Sequence, residues 1–408
     1  MTSLRSRRDF FRLTGTVAGG LALGAGALAA AAPAAAATPL LAPNSAAPAD
    51  WSVAVVESTL KRFPTPASIG GWGYAVGLYL YGQYLVYRRT GTARYLGYVK
   101  DWVDRFVGAD GSISNSFNSL DSMRCGTLLV ILHAETGQDR YRIAAKQIRD
   151  RLNTYPRNAD GAFWHATSRQ HQLWADGTYM ALPFLAGYGK EFGDAAYANT
   201  EVVKQLQLYT AHLASQNGLL YHAYDESGKQ TWADPKTHRS PEFWLRAVGW
   251  YGMTCVDVLD ILPADHPDRP KIIAMVGNLV RGIARYQDPR TGRWFQVVDK
   301  GSNPQNWTET SGSSMFSYVV SRAVQRGYVT QDNAAVAARG YRGVLSTVSV
   351  GSDGLTTISD ICTGTNVGEL SYYLSRPRAA NDFHGLGSFL IMNEQFAGHP
   401  TGALLEAG

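Results

Sequence analysis

The feature that constrains the fold most is a short turn that recurs along the chain, followed each time by an aromatic or β-branched run. Consecutive turns lie 50, 57, 74 and 62 residues apart, measured between Gly111, Gly161, Gly218, Gly292 and Gly354. Spacings of this length indicate that one supersecondary unit is repeated. We therefore interpret the chain as a series of similar units.

Each unit contains two helices of opposite character. The helix before the turn is amphipathic, as in residues 141–152, where apolar residues share one face and charges the other. The helix after the turn is apolar nearly all round, as in residues 243–262, which indicates a buried helix. About six such pairs describe two concentric rings, so we predict an all-α protein with an (α/α)6 barrel, a six-hairpin toroid. The alternative is a linear helical solenoid, whose inner helices would line an open groove and carry polar faces.

The N-terminal residues indicate an export signal. Arg7 and Arg8 precede a Gly/Ala/Leu segment that ends in small residues near Ala37, which is typical of twin-arginine signals. A transmembrane anchor is the alternative, but the segment is short for a span. We expect a secreted protein that is not attached to a membrane after cleavage. The predicted domains are a signal peptide (1–37), an N-terminal extension (38–64), a catalytic barrel (65–396) and a C-terminal tail (397–408).

Composition excludes several classes of partner. The formal charge of +5 falls to about +2 without the signal, and the rest of the chain has no basic stripe of the kind that nucleic acids require. Cys125, Cys255 and Cys362 lack the spacing of metal ligands, so we expect buried thiols and neither a metal nor a cofactor. No obligate protein partner is predicted.

Two aspartates are candidates for catalysis because the inner helices of a barrel point their N-terminal ends into one cavity. Asp176 lies in the otherwise apolar stretch 171–184, and burying an isolated carboxylate is costly. It must therefore be paired, protonated or catalytic. Asp121 opens the second inner helix. A helix cap remains the alternative for both, and a buried ion pair is a further alternative for Asp176.

Other polar and aromatic residues converge on the same predicted cavity. His165 and His222 follow recurring turns, and satisfied core histidines are their alternative. Arg246 and Trp250 are four residues apart, so we expect an arginine above an indole ring on one helix face, and an interior ion pair is the alternative for Arg246. Aromatic rings suit sugars and an arginine fork suits a carboxylate, which together predict an acidic sugar. The expected aromatic lining is Trp72, Tyr74, Trp164, Trp174, Trp244 and Trp250, with packing in the core as the alternative for Trp72 and Trp244.

Six sequence blocks occur in a specific order. They are W-x-Y at 72–74, GAFWHA at 161–166, LWADGTYMALPFLAGY at 173–188, YHAYDESG at 221–228, FWLRAVGWYGM at 243–253 and TETSGSSMFSYVVSRA at 308–323. With an aspartate opening the second inner helix, this order resembles family 105 of the glycoside hydrolases, the unsaturated rhamnogalacturonyl hydrolases and their relatives. The resemblance implies an (α/α)6 barrel that removes a Δ4,5-unsaturated uronic acid from the non-reducing end of lyase-generated oligosaccharides.

The resemblance also implies roles for single residues. Asp176 matches the general acid/base and Asp121 the second essential aspartate. The positions that match residues binding the unsaturated sugar are Tyr74, His165, His222, Arg246 and Trp250. In this chemistry Asp176 protonates C4 of the C4=C5 double bond and water adds at C5. We expect burial and Asp121 to raise the pKa of Asp176, which keeps its proton available.

Two alternatives stay open. An inverting glycosidase or a polysaccharide lyase on the same barrel would act on saturated chains, and a non-catalytic carbohydrate-binding protein would show affinity without turnover. The sugar next to the unsaturated uronate also stays open among pectin-derived rhamnose, ulvan and arabinogalactan fragments.

Overall fold

A computed structural model describes residues 48–398, so the predicted signal at residues 1–37 lies outside the described residues. Its helices are α1 (Trp51–Arg62), α2 (Tyr74–Thr90), α3 (Ala93–Asp104), α4 (Leu120–Met123), α5 (Gly126–Thr136), α6 (Asp139–Arg151), α7 (Asp176–Phe192), α8 (Ala195–Leu213), α9 (Leu245–Ile261), α10 (Arg269–Arg285), α11 (Thr310–Gln325), α12 (Ala334–Leu345), α13 (Leu370–Leu374) and α14 (Phe383–Ala397). A short 3₁₀ helix at Gln331–Asn333 precedes α12.

The inner ring of helices is closed. Its members are α2, the α4–α5 pair, α7, α9, α11 and α14, and each packs against the next in this order. Helix α14 then packs extensively against α2. The first and last inner helices of a linear solenoid would not meet, so this contact decides between the two architectures. The predicted (α/α)6 barrel is confirmed.

The outer helices lie over the seams of the inner ring. Helix α3 contacts α2 and α5, α6 contacts α5 and α7, α8 contacts α7, α10 contacts α9 and α11, and α12 contacts α11 and α14. Helix α1 packs on α14 and α2 in the same way, although it lies within the predicted extension 38–64. The outer ring therefore begins before residue 65.

The pattern of buried side chains explains why a helix lies in the inner or the outer ring. In α6, the predicted apolar face is buried at Ala144, Ala145 and Ile148, while charged residues face outward. Helix α7 is buried from Asp176 to Gly189, as expected of an inner helix surrounded by protein. Among residues 48–398, no helix combines the length and the apolar character that crossing a bilayer requires.

Short antiparallel strand pairs join the hairpins. The pairs are β1 (Gln172–Trp174) with β2 (Ala223–Asp225), β3 (Trp294–Phe295) with β4 (Thr308–Glu309), β5 (Val348–Val350) with β6 (Thr356–Ile358), and β7 (Ile361–Cys362) with β8 (Arg378–Ala379). One residue, Ala175, separates the end of strand β1 from the start of α7, and β4 directly precedes α11. The strands therefore fix the loops at the end of the barrel where these inner helices begin.

Candidate active site

A polar cavity of about 280 Å³ lies at the end of the barrel where the inner helices begin. One wall carries both predicted catalytic aspartates, and another wall belongs to the segment between β7 and α14. The lining residues are Tyr74, Asp121, His165, Trp174, Asp176, Gly364, Thr365, Asn366, Tyr372 and Arg376. Tyr74, Asp121, His165 and Asp176 therefore lie together as the sequence predicts.

The strand pair β1–β2 places His222 beside Asp176. Trp174 is paired with Ala223, and the next backbone amide, that of Ala175, donates to the carbonyl oxygen of His222 at 2.9 Å. Nε2 of His222 consequently lies 3.2 Å from Oδ2 of Asp176. Asp176 is the first residue of α7, where the helix dipole also favours a negative charge.

A second set of backbone hydrogen bonds positions Asp121 and His165. The amide of Leu120, at the start of α4, donates to the carbonyl oxygen of His165, and the amide of His165 donates to Gln172. Nε2 of His165 lies 3.8 Å from Oδ2 of Asp121, and its ring stacks on Trp174 with centroids 4.3 Å apart. Both aspartates are thus fixed relative to one strand, β1.

The pKa of Asp176 differs from the prediction. Burial acts to raise it, but the electrostatic attraction and hydrogen bonding of His222, with a further contribution from His165, outweigh burial and lower the pKa below its ordinary value. The prediction of a raised pKa is therefore wrong. The sequence could not reveal it, because His222 is 46 residues away and reaches Asp176 only through the strand pair.

Asp121 shows the opposite shift. Burial raises the pKa of Asp121, the nearby His165 lowers it, and repulsion from Asp176 raises it further, so that the pKa lies above its ordinary value. Of the two carboxyl groups, Asp121 therefore keeps its proton to higher pH. Two carboxyl groups whose environments separate their pKa values are typical of acid/base pairs.

Tyr74 begins a hydrogen-bonded chain that the sequence analysis missed. Its hydroxyl lies 2.7 Å from Nε2 of His384, whose Nδ1 lies 2.6 Å from Oδ1 of Asp382. Burial, followed by the negative charge of Asp121, raises the pKa of Tyr74, so the hydroxyl stays protonated and donates to His384. Asp382 also caps α14, and an aspartate two residues before a histidine at a helix start is the signal that was available.

Arg246 is not among the residues that line the cavity. It is 1 % exposed, and its Nη1 donates to the carbonyl oxygen of Cys362 at 2.6 Å and to Ser311. Its Nη2 donates to the carbonyl oxygen of Thr363 at 2.8 Å, and its Nε is buried without a partner among the described residues. The guanidinium therefore holds the backbone next to the cavity.

Two expectations about aromatic residues are wrong. Arg246 lies over the ring of Trp244, 4.7 Å from its centroid, whereas Trp250 stacks on Tyr179 with centroids 5.1 Å apart. Trp250 is 1 % exposed, and its ring meets that of Tyr74 edge-on with centroids 6.4 Å apart. Of the expected lining, only Tyr74 and Trp174 line the cavity. Trp244 and Trp250 pack in the core instead, each 1 % exposed.

The comparisons with known proteins agree with this architecture. The model of Glycosyl Hydrolase Family 88 matches residues 51–396. A solved glycoside hydrolase of family 105 from C. acetobutylicum ATCC 824 is 33 % identical, with a TM-score of 0.82 over 86 % of this chain and 100 % of that one. The chain is a glycoside hydrolase of the family 88 and 105 group.

Two curated proteins are also similar to this hydrolase. Protein Atu3128 of Agrobacterium fabrum is 31 % identical over 226 residues, which cover 52 % of this chain and 96 % of that protein. Unsaturated rhamnogalacturonyl hydrolase YesR of Bacillus subtilis is 27 % identical over 268 residues, 64 % of this chain and 73 % of that protein.

The hydrolase closes its cavity with residues 361–376, which we call the mouth segment. Besides Arg246, Glu309 holds it, since its Oε1 accepts from the amide of Cys362 at 3.0 Å. His222 holds it as well, because its Nδ1 lies 2.7 Å from the hydroxyl of Tyr373. The sequence analysis missed its cavity-lining residues Thr365, Asn366, Tyr372 and Arg376. The available signal was weak: a polar TGTN turn at 363–366 that lies outside the helical repeat.

The described residues suggest no metal centre. Within residues 48–398, no group of three or more His, Cys, Asp or Glu side chains is placed to hold a metal ion. Cys125, Cys255 and Cys362 are buried and unpaired, as predicted.

Proposed function

We propose that this hydrolase removes a Δ4,5-unsaturated uronic acid from the non-reducing end of lyase-generated oligosaccharides by hydrating the C4=C5 double bond. The observation that carries the proposal is one cavity in which two carboxyl groups with separated pKa values face a wall with an arginine. Such a cavity suits a substrate that needs a proton and itself carries a carboxylate. The named activity of the relative YesR supports the same substrate class.

The chemistry begins with the double bond. The C4=C5 bond of an unsaturated uronate is a vinyl ether, so a proton from Asp176 adds to C4 and positive character develops at C5 and the ring oxygen. Water then adds at C5 and gives its proton to the Asp176 carboxylate, which restores the acid. The resulting hemiketal opens and expels the rest of the oligosaccharide, without attack on the anomeric carbon. One residue thus acts first as acid and then as base.

The proton on Asp176 depends on the substrate. His222 lowers the pKa of Asp176, and Asp121 is the carboxyl group that keeps its proton to higher pH. A bound uronate brings a further negative charge into the cavity, and like charges favour the protonated form of a carboxyl group. We expect this charge to raise the pKa of Asp176 in the complex, where the acid is needed.

His222 orients the Asp176 carboxylate. Burial lowers the pKa of His222, and Nδ1 of its ring lies 2.7 Å from the hydroxyl of Tyr373. Nε2 of the ring lies 3.2 Å from Oδ2 of Asp176. Residues of the third and fourth hairpins thereby fix the direction in which the acid points.

We also propose export through the twin-arginine route, so that the enzyme acts outside the cytoplasm on fragments that lyases release. The support is the Arg7–Arg8 pair with the segment that follows it. Replacing both arginines by lysine in the full chain is expected to retain activity inside the cell. Export at the normal level in that variant would contradict the proposal.

The proposed activity is tested by mixing the purified enzyme with lyase digests of rhamnogalacturonan, ulvan and arabinogalactan. The ultraviolet absorbance of the conjugated enol-ether carboxylate is expected to fall with at least one of these substrates, and the digest that responds identifies the neighbouring sugar. Saturated oligosaccharides of the same length are the control. Cleavage of the saturated series would indicate an ordinary glycosidase or a lyase, and binding without turnover would indicate a carbohydrate-binding protein.

A further inference from the structure

The mouth segment presents an arginine to the cavity without an acidic partner. Nε of Arg376 donates to the Thr365 hydroxyl at 3.3 Å, and its Nη2 donates to the Thr363 hydroxyl at 3.2 Å and to the carbonyl oxygen of Gly364. Within residues 48–398 its Nη1 has no hydrogen bond, and no carboxylate pairs with the guanidinium. An arginine oriented on one side and free on the other is prepared to bind an anion.

The orientation of the Arg376 guanidinium plane is restricted as well. Its guanidinium carbon lies 5.1 Å from the centroid of the Tyr372 ring, and Tyr372 itself accepts a hydrogen bond from the amide of Asn366 at 2.9 Å. Stacking on an aromatic ring and hydrogen bonding to a loop leave a planar fork few other orientations. Arg376 thus differs from the flexible arginines of an open surface.

Arg246 cannot take this role in the described arrangement. Both of its Nη atoms are committed to carbonyl oxygens of the mouth segment, and its side chain is buried behind that segment. It is therefore a positioning residue, which holds Cys362 and Thr363 so that the following residues face the cavity. The charge that meets a substrate comes from Arg376.

Electrostatics determine which wall a carboxylate ligand meets. Asp121 and Asp176 line the same cavity as the mouth segment, and both repel an anion when ionised. Arg376 attracts it, and Arg169 adds a second positive charge beside the mouth segment, where its Nη2 donates to the side-chain oxygen of Asn366 at 3.3 Å. A uronate would therefore enter with its carboxylate toward the mouth segment.

We propose that Arg376 binds the carboxylate of the unsaturated uronate and makes the mouth segment the element that selects acidic sugars. The inference rests on the proposed function. It also orients the substrate, because the carboxylate is attached to C5, next to the C4 atom that accepts the proton. With the carboxylate held by Arg376, C4 is turned toward the wall that carries Asp176.

The test compares free-acid and methyl-ester forms of the lyase product that the wild-type enzyme cleaves. Arg376→Gln is expected to lower kcat/KM for the acid by roughly 10- to 100-fold, the usual effect of losing a charge-assisted hydrogen bond. The kcat/KM for the ester is expected to change little, so that the enzyme loses its preference for the acid. Arg376→Lys restores the charge without the fork and is expected to recover part of the preference.

Arg378→Gln is the matched control, since Arg378 is exposed, two residues away and stacked over Trp307 instead of the cavity. The Arg378→Gln enzyme is expected to keep the wild-type preference for the acid over the ester. An unchanged preference in Arg376→Gln, or an equal loss for acid and ester, would overturn the assignment. A wild-type enzyme that cleaves no unsaturated product would instead contradict the proposed function.

A measurement without a substitution at Arg376 covers the case in which those variants fail to fold. Phenylglyoxal labels accessible arginines, and mass spectrometry locates the label. In an Asp176→Asn enzyme that retains substrate, the unsaturated oligosaccharide is expected to slow labelling of Arg376 but not of Arg378. Equal labelling with and without the oligosaccharide, at a concentration that saturates binding, would contradict contact with Arg376.

Discussion

Two cavities inside the ring of inner helices contain similar residues but differ in how their charged side chains are paired. The second, which we call the lower cavity, measures about 170 Å³ and extends toward the C-terminal ends of α7, α9 and α11. Its charged and tyrosine residues are Tyr81, Arg124, Tyr179, Lys190, Asp257, Asp260, Tyr318, Arg322 and Arg326. Both cavities therefore combine aspartates, arginines and tyrosines inside one ring of helices.

In the lower cavity both aspartates are bonded to neighbouring side chains. Asp260 pairs with Arg322 at 3.1 Å and with Arg326 at 2.8 Å, and Asp257 accepts a hydrogen bond from Tyr318 at 2.5 Å. In the catalytic cavity the aspartates meet histidines, and Arg376 has no acidic partner among the described residues. Charges neutralised within the protein hold helices together, whereas charges left open are available to a ligand.

The comparison also shows what a shifted pKa does not prove. Burial raises the pKa of Asp257 to about 6, against the lowering effects of the Tyr318 hydrogen bond and Arg322. A titration criterion alone would therefore select Asp257 as a catalytic acid. The arrangement of partners separates the two sites, because Asp257 is bonded to a neighbouring inner helix and Asp121 and Asp176 face an open cavity.

The largest expected effect comes from removing one buried carboxylate in each cavity. Asp176→Asn should lower kcat by on the order of 10²–10⁴ with substrate binding largely preserved, because the amide keeps the shape and cannot transfer a proton. Asp257→Asn makes the same chemical change in the lower cavity and should leave kcat and KM at wild-type values. Steady-state kinetics of the two variants, with calorimetric binding to the first, checks the pair. Near wild-type activity of Asp176→Asn would remove it from the acid/base role.

An intermediate effect is expected from matched arginine substitutions. A lysine at position 246 cannot donate to the carbonyl oxygens of Cys362 and Thr363 at the same time. In Arg246→Lys the mouth segment should therefore be held less firmly, and KM should rise about 10-fold. Arg322→Lys weakens the pair with Asp260 in the lower cavity and should lower the melting temperature without changing KM. Equal KM values for both variants would show that the mouth segment does not depend on Arg246.

A smaller effect is expected on the pH profile. His222 lowers the pKa of Asp176, so His222→Gln should raise that pKa and move the alkaline fall of kcat/KM to higher pH. The direction follows because the proposed acid must be protonated, and a higher pKa keeps it so at higher pH. His212→Gln is the control, since Nε2 of His212 lies 2.6 Å from Oδ2 of Asp160 and neither residue lines the cavity. A shift to lower pH in His222→Gln would contradict the assigned acid.

The fold and the aspartates were predictable, whereas the mouth segment was not. The spacing of turns and the buried helices predict the rings, and the start of an inner helix predicts where Asp121 and Asp176 point. The mouth segment lies between helices and has no period of its own. Its position depends on Arg246 and Glu309, whose partners are distant in sequence. The pKa of Asp176 was mispredicted for the same reason, because His222 acts through a strand pair.

The most direct test of hydration at C4=C5 follows the isotopes of the solvent. Turnover in D₂O is expected to place deuterium at C4 of the released sugar, because Asp176 exchanges its proton with solvent before it protonates that carbon. In H₂¹⁸O the label is expected to enter first at C5, and the anomeric oxygen is expected to remain the original bridge oxygen. A saturated uronate has no double bond to protonate and is expected to be inert. Product with solvent oxygen at C1 and no deuterium at C4 would contradict the account, as would turnover of the saturated sugar.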